Sequence, residues 1–313
     1  MRLRRPLLGA TAALAALAVA GCGSGPASPA ADDGTLTVVA STNIYGSIAG
    51  SVGGDGVTVE SLIRDPAADP HSYESTPADA AAVAGADIVV YNGGGYDEFM
   101  PQLVEAAGGD PVVVDVAELS GLVPAEEAGA EEHGEFNEHF WYSLPTVSAL
   151  ATQLAEELGT ADAANATTYT ANAATFTTAI DGLVERAQAA GASVPGGRVA
   201  VTEPLPVYLL ETAGLTDATP AEFSEAVEED TDPPAAVLAE TLALFAPGAP
   251  EPLRALILNG QTQTPITEQV RAAAEAAGVP IVEMTETLPA DQPDYLAWMS
   301  GQVDSLAGAL NPV

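Results

Sequence analysis

Along this chain apolar residues recur either with a period of two or in short unbroken runs, and between those runs the period lengthens to that of a helix. Leu36–Thr42 reads as a strand, with a helical stretch from about Tyr45, and the alternating segment Val57–Ile63 reads as a second strand. The spacing predicts a short alanine-rich helix over 77–86 and, over 87–92, an apolar run of the kind that forms a buried parallel strand. Gly93-Gly94-Gly95 breaks that run; a helix over 98–107 and a fourth strand over 111–116 follow. Strands alternating with helices at this spacing are βα units on a parallel sheet.

The middle of the chain changes period. Residues 145–158 read as one helix and residues 161–190 as a second with few breakers. Thirty helical residues would measure about 45 Å, long enough to act as a rigid connector between two lobes. After Gly196-Gly197 the alternation returns, with strands over 198–203, 255–259 and 280–284, an amphipathic helix over 265–277 and a closing helix over 295–310. The expected fold class is therefore α/β: two βα lobes with parallel sheets, residues 35–160 and 191–313, joined by one long rigid helix over 161–190. Residues 124–138 stand apart as an acidic, glycine-punctuated stretch that reads as a surface loop and carries His133.

The N-terminus adds a compartment. Arg2, Arg4 and Arg5 precede an apolar run from Leu7 to Ala20, the arrangement of a secretory signal over residues 1–21 and too short to span a bilayer comfortably. Val19-Ala20-Gly21-Cys22 resembles the bacterial lipobox, in which the cysteine is diacylated and becomes the new N-terminus. Cys22 is the only cysteine, which rules out an internal disulfide framework and any CxxC metal site. Residues 23–34 are all Gly, Ser, Pro, Ala or Asp, so 22–34 reads as a flexible tether. The expected location is the outer face of the cytoplasmic membrane, anchored by lipid on Cys22.

Charge excludes one class of partner. The chain has 44 acidic side chains against eight basic ones, all arginine, and a formal net charge of −36. Nucleic acid is not expected, because phosphate contacts need Lys and Arg. Much of the acidity serves to keep an alanine-rich surface soluble, while it also attracts cations.

Histidine is scarce, three in 313 residues, so its placement is informative. His71 lies in Asp69-Pro70-His71-Ser72-Tyr73-Glu74-Ser75-Thr76-Pro77. The proline pushes Asp69 to an extended conformation, and Ser75 or Thr76 can cap a helix starting at Pro77. His71 is thereby placed in a turn beyond a strand's C-terminal end, where ligands of α/β sheets bind. His139 lies in Asn137-Glu138-His139-Phe140-Trp141-Tyr142, just before a helix. Glu203 ends a strand ahead of Pro204, and Glu286 follows the strand that ends at Met284. Two imidazoles and two carboxylates, two from each half, form a donor set for a divalent transition metal if they converge on one cleft. Glu283 is the nearest rival to Glu286, although strand alternation would aim it elsewhere.

These motifs, taken together, resemble the metal-binding lipoproteins of bacterial ABC importers for zinc and manganese, the cluster A-I solute-binding family, over residues 35–313. The segment from Asp69 to Pro77 resembles that family's first-ligand motif. Asn137-Glu138-His139-Phe140-Trp141 resembles the second, with Glu138 in place of the usual proline. Val201-Thr202-Glu203-Pro204 falls where the third ligand is carried, and Met284-Thr285-Glu286-Thr287-Leu288 falls where most members place an aspartate. Tyr91-Asn92-Gly93 fits the family's strand end beside the cleft, and Ser143 lies near a common aspartate.

The resemblance implies a two-lobed α/β fold with the metal in the cleft between lobes, bound by His71, His139, Glu203 and Glu286. It implies Zn²⁺ or Mn²⁺ as transported cargo, a monomer, and an ABC permease as partner. Zinc-specific members often have a third histidine and a long histidine-rich loop, which this chain lacks; mixed nitrogen and oxygen donors leave both metals open. An enzyme is not expected, since four protein ligands leave no open position for a reacting water, and neither an HExxH nor a Gly-x-Ser-x-Gly motif occurs. The alternatives are a secreted metallohydrolase using His71, His139 and a glutamate, and a surface adhesin that a metal merely stabilises.

Overall fold

The computed structural model describes residues 35–66, 68, 70–123, 136–249 and 251–311. Cys22, the anticipated signal and tether, Asp69 and His133 lie outside them. The first lobe runs β1 (Leu36–Thr42), α1 (Asn43–Gly53), β2 (Val57–Ile63), α2 (Pro77–Ala84), β3 (Ile88–Tyr91), α3 (Phe99–Ala107), β4 (Val112–Asp115) and the short α4 (Val116–Ser120). Two helices follow, α5 (Leu144–Ala161) and α6 (Ala166–Ala192). The second lobe runs β5 (Arg198–Val201), α7 (Val207–Ala213), β6 (Thr216–Asp217), α8 (Ala221–Glu228), α9 (Ala235–Ala243), β7 (Leu253–Asn259), α10 (Pro265–Ala277), β8 (Ile281–Met284) and α11 (Tyr295–Leu310).

Each lobe is a four-stranded, all-parallel sheet, and the two orders match: β2-β1-β3-β4 and β6-β5-β7-β8. Both sheets therefore reverse strand order beside their first strand, and such a reversal opens a crevice at the strands' C-terminal ends. Alternation sorts the side chains. Val38 and Ala40 face one core and Val39 faces the other, where it meets Val83, Val89 and Met100.

The larger core is shared between lobes. Val38 and Val90 of the first sheet and Val201 and Ile257 of the second belong to one continuous buried cluster. Helix α6 threads it with Tyr169, Phe176, Ile180, Leu183 and Ala187, a stripe at helical spacing. At 27 residues α6 is about 40 Å long. It starts at Ala166 rather than near Ala161 because α5 runs on to Ala161 and the Asp162 carboxylate then turns the chain. That carboxylate accepts from the Ala164 N–H (3.1 Å), the Asn165 amide (2.6 Å) and the Tyr169 hydroxyl (2.9 Å).

Candidate metal site

His71 sits in a turn after β2, as its proline predicts, with the Tyr73 N–H donating to the Pro70 carbonyl (3.4 Å). Just downstream, Thr76 caps α2 in a reciprocal box with Asp79, and Pro77 is the first helical residue. The Tyr73 hydroxyl donates to the same Asp79 carboxylate (3.1 Å), tying the His71 turn to the start of the helix. The His71 ring stands edge-on to Tyr96, 4.9 Å between centroids.

His139 lies at the entrance to a single turn of 3₁₀ helix, Phe140–Tyr142, and is 1% exposed. The Asn137 side-chain oxygen takes both the His139 backbone N–H (2.9 Å) and the ring Nδ1–H (2.8 Å). This fixes the tautomer and leaves Nε2 as the nitrogen aimed into the cleft. Asn137 is itself anchored to the second lobe, its amide donating to the Pro204 carbonyl (2.7 Å) and its carbonyl accepting from the Tyr208 hydroxyl (2.6 Å).

The second lobe contributes its strand ends. Glu203, two residues past β5, is 4% exposed and accepts from the Asn259 amide through Oε2 (2.6 Å). Its other oxygen, Oε1, is buried with no hydrogen-bond partner in the protein. Glu286, two residues past β8, accepts from the Tyr96 hydroxyl (2.9 Å) of the opposite lobe and lies 3.5 Å from the same Asn259 amide. The loop that carries it is held by Gln261, whose side-chain oxygen accepts from the Glu286 (2.8 Å) and Thr287 (3.0 Å) N–H groups. Glu283 points the other way, onto the surface, where it pairs with Arg271 at 2.8 Å.

Two further carboxylates enter the same space. Glu138 Oε1 lies 3.4 Å from His71 Nε2, and Glu228 Oε1, from the last residue of α8, lies 3.0 Å from His139 Nε2. One donor atom each from His71, Glu138 and Glu228 falls within 4.8 Å of the other two, close enough for the three to gather around one ion. Sequence reasoning met Glu138 only as a replaced proline. It missed Glu228, one acid in the run Glu228-Glu229-Asp230, in a region for which no element was predicted.

The electrostatics follow from crowding acids in a dry cleft. Burial pushes Glu203 up to about 8 against the Asn259 amide, with the charges of Glu286 and Glu228 adding to the rise. Burial also raises Glu286, opposed by His139, His71 and the Tyr96 hydroxyl. At His139 burial works against the charged ring, but Glu228, Glu286 and Glu138 together push it up to about 9. Glu203, Glu286, Glu228 and His139 thus feel one another, His71 acts on Glu286 and Glu138 on His139; of the four sequence-predicted residues, His71 alone falls, among the described residues, in a group of donor atoms within 4.8 Å of one another.

The model of the family described as zinc-uptake complex component A, periplasmic (ZnuA), matches residues 38–309. The manganese-binding lipoprotein MntA of Halalkalibacterium halodurans is 30% identical over 161 residues, 51% of each chain. The manganese ABC transporter substrate-binding lipoprotein PsaA of Streptococcus pneumoniae is 26% identical over 213 residues, 66% of this chain and 68% of the relative. The match to the first of these thus spans about half of its length. Among solved structures, the periplasmic zinc-binding protein TroA of Treponema pallidum superposes with a TM-score of 0.69 at 20% identity, covering 88% of this chain and 99% of that one. With the family model matched across both lobes and the same fold in TroA, the chain belongs to the ZnuA family.

Proposed function

We propose that this chain is an extracytoplasmic solute-binding protein that captures a divalent transition metal, Zn²⁺ or Mn²⁺, and hands it to an ABC permease for import. One observation carries the reading: the Nε2 atoms of His71 and His139 face glutamate oxygens at 3.4 and 3.0 Å in a cleft that also receives Glu203 and Glu286. Neutral imidazoles and carboxylates are the donors that Zn²⁺ and Mn²⁺ accept. Both lobes supply them, so the bound ion bridges the lobes. Nothing in the arrangement calls for catalysis, since the donor set saturates an ion rather than leaving it an open position. The location follows from the lipobox-like Val19-Ala20-Gly21-Cys22: a lipid on Cys22 would hold the protein at the outer face of the cytoplasmic membrane, beside a permease, as a monomer.

Calorimetric titration of the chain from Cys22 onward with Zn²⁺ and with Mn²⁺ is expected to give one tight site. His71→Ala is expected to abolish it, and stoichiometric binding retained by that variant would remove His71 from the site. Growth of a deletion strain on limiting zinc or manganese tests import itself. Growth indistinguishable from that of the parent on both metals would leave a binding protein without this transport role.

A further inference from the structure

His71, His139, Glu203 and Glu286 account for the donor set that the family's motifs imply, but not for Glu138 and Glu228, whose carboxylates enter the same cleft. Around one ion with bonds of about 2.1 Å, neighbouring donors lie about 3 Å apart and opposite donors about 4.2 Å apart. The His139 Nε2–Glu228 Oε1 separation of 3.0 Å and the His71 Nε2–Glu138 Oε1 separation of 3.4 Å both match neighbouring donors. The trio His71, Glu138 and Glu228 lies within 4.8 Å of one another, so closing it onto one ion needs side-chain shifts of a few tenths of an ångström at most.

Glu228 is also in an unfavourable position unless a cation is near. It is the last residue of α8, at the negative end of the helix, and Glu229 and Asp230 follow it directly. Its Oε1 is buried. Among the described residues the groups set against it that can carry positive charge are the His139 ring at 3.0 Å and the His71 ring within 4.8 Å, the same two groups that the metal-binding reading requires as neutral donors.

We propose that Glu228, with Glu138 beside it, is a metal ligand, and that these added oxygens shift the site's preference toward an ion that accepts five or six donors, Mn²⁺ relative to Zn²⁺. The inference rests on the metal-binding reading above and deepens it. Two nitrogens and two carboxylates can close a tetrahedron, the arrangement Zn²⁺ prefers. Each further oxygen has no place in a tetrahedron but fills a vertex of a five- or six-coordinate shell, and oxygen-rich shells suit Mn²⁺. Zn²⁺ still binds more tightly than Mn²⁺ in absolute terms at an N/O site, so the quantity under test is the ratio of the two affinities.

The test compares the chain from Cys22 onward with its Glu228→Gln and Glu228→Asp variants, titrated with Mn²⁺ and Zn²⁺ and examined as the Co²⁺-loaded protein by visible absorption. Glu228→Gln is nearly isosteric, and the thermal melt of each variant checks that it folds. Ligation by Glu228 predicts that Glu228→Gln weakens Mn²⁺ about tenfold or more and Zn²⁺ by less than about threefold. It predicts that the weak visible bands of five- or six-coordinate Co²⁺ give way to the intense bands of a tetrahedral ion. Glu228→Asp keeps the charge but draws the carboxylate back by one methylene, and it should behave like Glu228→Gln. Equal losses for both metals, unchanged affinities, or tighter binding by Glu228→Gln, as expected if Glu228 merely occupies His139, would each overturn the inference. So would a Glu228→Asp protein indistinguishable from the parent. If the parent binds neither metal, or His71→Ala binds as well as the parent, the metal-binding reading itself fails, and the two failures are told apart.

Discussion

Asn137 shows how one residue can position a site without facing it. Its side-chain oxygen holds both the backbone and ring N–H of His139, while its amide and carbonyl reach Pro204 and Tyr208 in the other lobe. Asn137→Ala releases the ring to either tautomer and frees it to rotate, so metal affinity is expected to fall about 10- to 100-fold with both imidazoles intact. Titration of this variant with Zn²⁺ and Mn²⁺ checks it, and an affinity unchanged from the parent would show that the ring is held by its neighbours Trp141 and Tyr96 alone. At this scale the chain was partly legible. His71 and His139 stand out because histidine is rare here and a proline or a helix start fixes their backbones. Glu203 and Glu286 followed from strand ends. Glu228 could not be found that way: it is one of 44 acids, and its approach to His139 depends on how α8 packs, which no local pattern encodes.

Legibility among elements divides on length and on burial. The spans of α10 and α11 follow from their periodicity, because each buries a stripe at helical spacing, while β1 and β2 follow from their runs of β-branched residues, β1 being buried on both faces along its last five residues. The stretch from Pro204 to Pro252 did not resolve into elements by pattern. It holds α7, β6, α8 and α9, none longer than nine residues, and prolines at 204, 206, 220, 233 and 234 punctuate it. The long helix was legible as a rod but not in its contacts, and one of those contacts reverses an ordinary rule. Replacing a helical glycine by alanine normally stabilises by up to about 1 kcal/mol, even towards a helix end such as Gly191 in α6. At Gly191 in α6, a Cβ would sit 1.6 Å from the carbonyl oxygen of Ala213, at the end of α7, so the two backbones touch there without room for a methyl group. Gly191→Ala should therefore destabilise the fold by about 2 kcal/mol or more, the range seen when a packed interior is overfilled. Gly182→Ala, whose Cβ meets nothing within 4 Å in the same helix, should be neutral or stabilising. Denaturant unfolding of the two variants side by side decides it, and equal midpoints would mean that α7 yields without cost.

At the scale of the whole molecule, two similar sheets could behave as two domains hinged at a cleft, but the packing opposes that. One buried cluster runs from Val38 and Val90 through Phe176 and Ile180 to Val201 and Ile257, so neither lobe closes a core of its own on that side. Hydrogen bonds cross the same seam. Tyr295 in α11 donates to the Trp141 carbonyl (2.6 Å), Tyr142 donates to the Thr285 carbonyl (2.8 Å), and Asn43 exchanges two bonds with Leu288 (2.8 and 3.0 Å). Opening the cleft by a large rotation would break these bonds and expose apolar surface, so under the proposed function an ion would enter and leave through loop movement and small tilts. The same reasoning fixes the unfolding behaviour. Lobes that share a core unfold together, and calorimetry should show one transition whose van't Hoff and calorimetric enthalpies agree. Tyr295→Phe removes a buried bond from the seam and leaves the Trp141 carbonyl without that donor, at a cost of about 1–3 kcal/mol. It should lower that single Tm by several degrees without splitting it. Two resolved transitions, in the parent or in Tyr295→Phe, would mean that the lobes are separable after all and that the cleft opens by rotation.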